Sequence, residues 1–374
     1  MAFKALSKSE KAYIQTSLQA QTPLRGDGRS LHEFRSVSIQ TQVVPIANGS
    51  AHLNLGRSSD ESIGGTEVLA AAKLEVEDIA AIGSNGSGVE GGRIVCTVSW
   101  CVGPLFFTKR KPRRGAKKSS PAAYSYLSAT ALDDLQHDYS AMLNDTLSHS
   151  SLRPPNLGII PGRKAWLLTL DLMVLSDAGN IYDALFMAAR AALWDTRVPR
   201  TRAVEYHPDK KDKGGNEIMD VDPESQSALD TRRTKAPATD FELEDSWDDG
   251  VALGGRDAWP LSVTLNLVHL FLLLFRTIFS PTRYPNKFPG VHFLDATTQE
   301  EAATPLRLIV MFSCSAESPA ALHGMHLLGT GDTDLAQIES LVQVSELRIY
   351  ILLKSLWCHI SRKEKSMCCR CTPR

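Results

Sequence analysis

The spacing of apolar residues changes period several times along the chain, and each change marks an element. Near the start, Ser7 and Glu10 have the reciprocal spacing of a helix-opening box, and Tyr13, Ile14 and Leu18 follow at helical intervals. A short helix is expected over about 8–20. After the turn-forming run Leu24-Arg25-Gly26-Asp27-Gly28-Arg29, period two takes over: Val37, Ile39, Thr41 and Val43 share one face, then Ala51, Leu53 and Leu55. These runs flank Ala47-Asn48-Gly49-Ser50, which predicts a β-hairpin, and a third strand is expected at Val68 to Val76. Thr130 and Asp133 repeat the helix-opening spacing ahead of a stripe of Leu132, Leu135, Tyr139, Met142, Leu143 and Leu147, an amphipathic helix. Ala165 to Leu175 is mostly apolar between turn residues and suits a strand covered on both faces. Tyr182 to Trp194 is small and apolar on nearly every side, so that helix belongs inside the protein.

From Glu205 to about Asp257 the pattern fails: Asp, Glu, Lys, Gly and Pro dominate, and positions 240–249 hold six acids. Few apolar residues offset the ordering entropy there, so an acidic, disordered linker is expected over 206–257. Strands are then expected near 261–268, 291–295, 306–313 and 323–329, with a helix from Asp332 to Val344 carrying Leu335, Ile338, Leu341 and Val342 on one face. Strands outnumber helices and the two are interspersed, which gives an α+β architecture.

Composition narrows the function. Across 374 residues, 41 Lys and Arg against 42 Asp and Glu leave a net charge of −1, which argues against a globally basic nucleic-acid binder. Of seven Cys, four fall in the final stretch (Cys358, Cys368, Cys369, Cys371), and the sparse use elsewhere suggests a reducing compartment without a disulfide framework. The tail cysteines lack paired spacing for a tetrahedral ion, so no metal and no cofactor is expected. MAFKALSKSEKAYIQ has no apolar signal core, and the apolar stretch from Leu261 to Phe279 is interrupted by Asn266, His269 and Arg276, so no membrane association is expected.

Several strings in a fixed order carry more specific information. They are Arg25-Gly26-Asp27-Gly28-Arg29, Asn48-Gly49-Ser50-Ala51, Gly65-Thr66-Glu67-Val68-Leu69 and Ala178-Gly179-Asn180-Ile181-Tyr182-Asp183-Ala184. Ala191-Ala192-Leu193 with Thr196-Arg197-Val198-Pro199, and Phe293-Leu294-Asp295-Ala296-Thr297 with Glu300-Glu301, complete the set. Together these strings, over about 25–205 and 258–343, resemble the RNase PH family, and within it the ring subunits of the eukaryotic RNA exosome. The resemblance implies the RNase PH fold, mixed sheets with packed helices in repeated β-α units. It divides the chain into an N-terminal helical extension (1–24), a first half (25–205), the linker (206–257), a second half (258–343) and a basic, Cys-rich tail (344–374).

Phosphorolytic members of that family attack an RNA phosphodiester with inorganic phosphate and need a cationic phosphate cradle and an acid. Their cradle is a Gly-Thr-Arg element; here the matching stretch is Gly179-Asn180-Ile181-Tyr182-Asp183, which lacks a cation and ends in a carboxylate. An Asp facing phosphate repels it by about 1 kcal/mol at 4 Å in water and by more near a protein surface. Asp295, Glu300 and Glu301 match the acidic element, but Pro305-Leu306-Arg307-Leu308 stands where a further Asp is placed. The resemblance therefore implies an inactive subunit, with an active phosphate-dependent 3′-to-5′ exoribonuclease as the alternative.

Each family-motif residue also has a plain structural reading. Asp27 and Arg29 are expected to form a structural or interface ion pair, Gly179, Asn180, Asp183 and Arg197 to be structural, and Glu300 and Glu301, near Asp295, to be solvated on a turn. Arg153, Arg163 and Lys164 are the candidates for RNA contact through phosphates, which positions without specifying sequence. Four segments do not fit the family: 57–64, 101–120 with seven cations over 109–118, 269–290, and the tail, readable as translated intron. The glycine-rich 83–92 run lacks the Lys and Ser/Thr of a phosphate loop. The partners implied are other RNase PH-type ring subunits, cap proteins with RNA-binding domains, hydrolytic exoribonucleases and RNA, in nucleus, nucleolus and cytoplasm.

Overall fold

In a computed structural model of the chain, the described residues are 6–56, 65–79, 92–100, 124, 127–204, 240–244, 250–268, 291–313, 320–331 and 338–346. Two sheets enclose a layer of helices. The first runs β1 (Val37–Thr41), β2 (Gly49–Leu55), β3 (Thr66–Asp78), β6 (Lys164–Ser176) and β4 (Arg93–Trp100), with β5 (Gly158–Ile160) also paired to β6. The pairings are antiparallel except β4 with β6, which is parallel. The second runs β12 (Val291–Leu294), β11 (Leu261–Val268), β13 (Arg307–Ser313) and β14 (Ala321–Leu328), all antiparallel. Between them, α3 (Ile181–Asp195) packs on β2, β3 and β11, while α2 (Ala129–Leu147) packs on β4 and reaches β13 through Thr146 and Met311.

The sequence explains this layering. In α3 every residue from Ile181 to Leu193 is buried, and Ala184, Ala188, Ala191 and Ala192 are small enough to let sheets approach from two sides. Ala51, Leu53 and Leu55 of β2 are fully buried, each leucine contributing roughly 1.5–3 kcal/mol of transfer free energy. Gly49 is required where β2 meets the end of α3, because a Cβ there would lie 2.5 Å from the Thr196 hydroxyl. In β11, Ser262, Thr264 and Asn266 are as buried as Val263 and Leu265 between them, so the polar half of its alternation faces the helix layer instead of water.

Three expectations need correction. The cap of α2 is Ser128, whose hydroxyl accepts from the Ala131 amide, because Thr130 already lies within the helix. Strand β6 is buried on one face only: Leu168, Leu170, Leu172 and Val174 are covered, whereas Asp171 and Met173 are exposed. The acidic linker is in part regular structure. Strand β9 (Asp240–Leu243) pairs with β8 (Thr201–Val204), and β10 (Val251–Ala252) pairs with β7 (Arg197–Val198). Pairing with an existing edge supplies the backbone hydrogen bonds that composition alone could not promise. Two further helices are α1 (Lys8–Leu18), with the Ser7/Glu10 box formed, and α4 (Thr298–Ala303). A helical segment at 338–346 carries the buried Leu341 and extends to residue 346. The segments 57–64, 101–120 and 269–290, the glycine-rich run from 83 to 91, and the tail beyond 346, with its cysteines, lie outside the described residues. No helix among the described residues is long and apolar enough to cross a membrane.

Candidate functional site

The family motifs converge where the loop after β12, the α4 N-terminus and the β6–α3 turn meet the segment 25–35. Asp295 is at the centre. Its side chain is fully buried and it adopts a left-handed backbone, φ 48°. Its carboxylate accepts from Arg29 Nη1 at 2.6 Å, from Arg35 Nη2 at 2.8 Å, from the Arg35 amide at 2.6 Å and from Asn180 Nδ2 at 3.0 Å. Burial opposes ionisation, but the hydrogen bonds and charges of Arg35 and Arg29 outweigh it and hold the carboxyl below the ordinary carboxylate range.

Arg25 forms the second buried pair. Its guanidinium donates to both Glu300 oxygens at 2.9 and 2.7 Å and to the carbonyls of Leu294 and Asp295, and it lies over the Phe293 ring. Glu300 also accepts from the Thr297 amide while Thr297 Oγ1 accepts from the Glu300 amide, a capping box that fixes the start of α4. Asp27 and Arg29 pair at 2.6 Å, and this contact, against the cost of burial, lowers the Asp27 pKa.

The turn into α3 is built from the other side. Gly179 has φ +98°, and a Cβ there would lie 2.4 Å from the Ala296 carbonyl, so only glycine lets this turn seat against the start of α4. Asn180 follows in a left-handed conformation at φ 58°. Three successive amides of the turn are already bonded: Ala178 to Thr66 Oγ1 at 3.0 Å, Gly179 to Asp177 Oδ1 at 2.8 Å, and Asn180 to Glu301 Oε1 at 2.8 Å. Arg35 donates to the carbonyls of Ala178 and Gly179. Glu301 takes Arg307 at 3.1 Å; burial, opposed by Arg307 and reinforced by Asp177, raises its pKa. Tyr124 donates to Asp177.

One expectation about these residues is overturned. Glu300 and Glu301 are not solvated on a turn, since both sit in α4 with their carboxylates committed to arginines, Glu300 at 5% exposure. Asp183 is structural: it points from α3 onto β11, where Ser262 Oγ at 3.0 Å, Thr264 Oγ1 at 2.8 Å and the Thr264 amide at 3.2 Å donate to it. Burial pushes its carboxyl up to about 7. The Asp27–Arg29 pair is present as expected and is tied into the larger network through Asp295.

The cationic candidates lie elsewhere. Arg153 and Arg163 are exposed, and Lys164 pairs with Asp240 at 3.1 Å while lying over the Phe241 ring. Arg197 holds the end of α3 through its backbone, donating to the Asn48 carbonyl, with its side chain exposed. Sequence reasoning missed Arg25, Arg35, Thr66, Asp177 and Arg307 as site members. Arg25 opens the Arg-Gly-Asp-Gly-Arg string and Thr297-x-x-Glu300 is a readable capping box, but Arg35 has no local signal. Cys96 is buried and its thiol is pushed up to about 12, which leaves it unreactive.

Residues 33–199 match the family model described as the 3′ exoribonuclease family, domain 1. Among curated proteins, an RRP42 relative from Dictyostelium discoideum is 28% identical over 225 residues, 54% of this chain and 66% of its own length. The exosome complex component Rrp42 of Thermoplasma volcanium is 30% identical over 202 residues (53% of this chain, 63% of its own), and rrp42 of Schizosaccharomyces pombe is 28% identical over 238 (60% and 64%). The chain spans less than two thirds of the length of these relatives. A solved structure of the Archaeoglobus fulgidus exosome with RNA bound to the active site superimposes with a TM-score of 0.56 at 18% identity, covering 93% of this chain and 97% of that one. Residues 33–199 thus match the model of the 3′ exoribonuclease family, and the chain shares the fold of the solved exosome structure and is similar to the Rrp42 exosome components.

Proposed function

We propose that this chain is a non-catalytic structural subunit of an exosome-type ring, supporting 3′-to-5′ RNA processing and degradation by scaffolding its neighbours and lining the channel. One observation carries the reading. At the Gly179–Asn180 turn, the backbone amides that could cradle a phosphate already donate to Asp177 and Glu301. An incoming anion would meet two carboxylates in place of open donors, and the nearby arginines are committed to Asp295, Glu300 and Glu301.

The names of the relatives supply the context of an exosome complex, and a sheet edge that is open among the described residues supports the ring reading. Strand β14 ends the order of the second sheet and exposes Leu322, Met325 and Leu327, each more than two fifths accessible. In this reading the neighbours are other RNase PH-type subunits, with cap proteins and hydrolytic exoribonucleases attached to the ring, in nucleus, nucleolus and cytoplasm. Co-expression with RNase PH-type ring partners tests it. A stoichiometric complex that is weakened by Met325→Asp with Leu327→Asp is expected. A wild-type chain that stays monomeric or insoluble beside its partners overturns the scaffold.

A further inference from the structure

The described acidic strand β9 is paired along its length with a strand that carries cations. Strands β8 and β9 pair antiparallel with Arg202 directly opposite Glu242 and Val204 opposite Asp240, and the ladder continues as the Glu244 amide donates to the Arg200 carbonyl. Arg200, Arg202, Glu242, Glu244 and Asp240 therefore lie on one face, and Asp240 reaches beyond its own ladder to Lys164 on β6. Cations two residues apart on a strand are roughly 7 Å apart, each opposed by an acid. Besides the ladder and charge, β9 is anchored by a ring: Phe241 packs edge-on against Trp166, 6.1 Å between centroids.

We infer that Arg200, Arg202 and Lys164 form a binding row for single-stranded RNA, and that β9 occupies this row as an internal competitor. A strand carrying a carboxylate at every second residue presents the regular negative charge that a phosphate backbone presents, so the two compete for the same side chains. Arg200, Arg202, Asp240, Glu242 and Glu244 are all exposed, so salt screens their pairing, and a polyanion releasing counterions displaces such a cover. The inference rests on the ring reading above only for its choice of RNA as the polyanion.

Binding of labelled oligouridylate to the full chain tests it by fluorescence anisotropy at low salt. The variant carrying Asp240→Asn, Glu242→Gln and Glu244→Gln should bind at least about tenfold more tightly than wild type, the gain fading as salt rises. A control with the same charge change on the exposed face of α2 (Asp133→Asn, Asp134→Asn, Asp138→Asn) should gain far less. Adding Arg200→Gln, Arg202→Gln and Lys164→Gln to the β9 variant should abolish the gain. Equal gains in the two neutralised chains, or a gain for a polyglutamate peptide and not for RNA, overturn the inference without touching the scaffold reading. In the unaltered chain, saturating oligouridylate should speed amide hydrogen exchange at 240–243; bound RNA with unchanged exchange there also contradicts it.

Discussion

Asp295 is held in a left-handed conformation by donors from three residues, Arg29, Arg35 and Asn180, and its removal leaves two guanidiniums with only 11% side-chain exposure and no carboxylate between them. Asp295→Ala should cost about 3–5 kcal/mol, read as a lowered urea midpoint, and a loss below about 1 kcal/mol would show the network to be dispensable. Asp183 gives the opposite sign. Its folded-state pKa of about 7 lies above its ordinary 3.8, so between these values the folded chain keeps a proton that the unfolded chain has released. Its contribution is fully present below about pH 4, falls by up to about 4 kcal/mol as pH rises, and levels off above 7. Asp183→Asn should flatten that slope in urea titrations across pH 4–8; parallel curves for the two proteins would place the proton elsewhere. Asp295 and Asp27, with lowered pKa values, should keep their share of acid sensitivity below that window in both proteins.

At the scale of elements, the β6–α3 turn and the start of α4 are one unit. Gly179→Ala puts a methyl into the Ala296 carbonyl and forces an unfavourable φ, so it should unseat α4. Loss of stability with faster amide exchange at 297–303 is expected, and a Gly179→Ala protein with native exchange there would refute the coupling. This scale also shows what the sequence could convey. Period two in Val37–Leu55 and the small, apolar ring of Tyr182–Trp194 were legible because each element's burial is written in its own residues. Strand β4 was overlooked although Ile94, Cys96 and Val98 alternate, and α4 was overlooked because six residues are too few for a helical period. Strand β9 was hidden by its acidity, since what orders it is the edge of β8 and the Trp166 ring, both remote in sequence.

For the whole molecule, the same limit decides how much of the site was readable. The strings that carry the family resemblance name the backbone turns and the carboxylates, but Arg25 meets Glu300 across 275 positions and Arg35 meets Asp295 across 260. No local pattern encodes such a pairing. What the strings conveyed was the missing cation in the Gly179–Asp183 stretch and the missing Asp near Arg307. What the fold adds is that Arg307 holds Glu301, so the basic residue in that stretch is part of the seal. The measurement closest to this account is phosphate-dependent release of nucleoside diphosphates from RNA by the ring assembled with its partners. The account predicts that any release is unchanged by Glu301→Gln or Asp177→Asn in this chain. Release that disappears on changing a residue of this chain, and not of a neighbour, would contradict it.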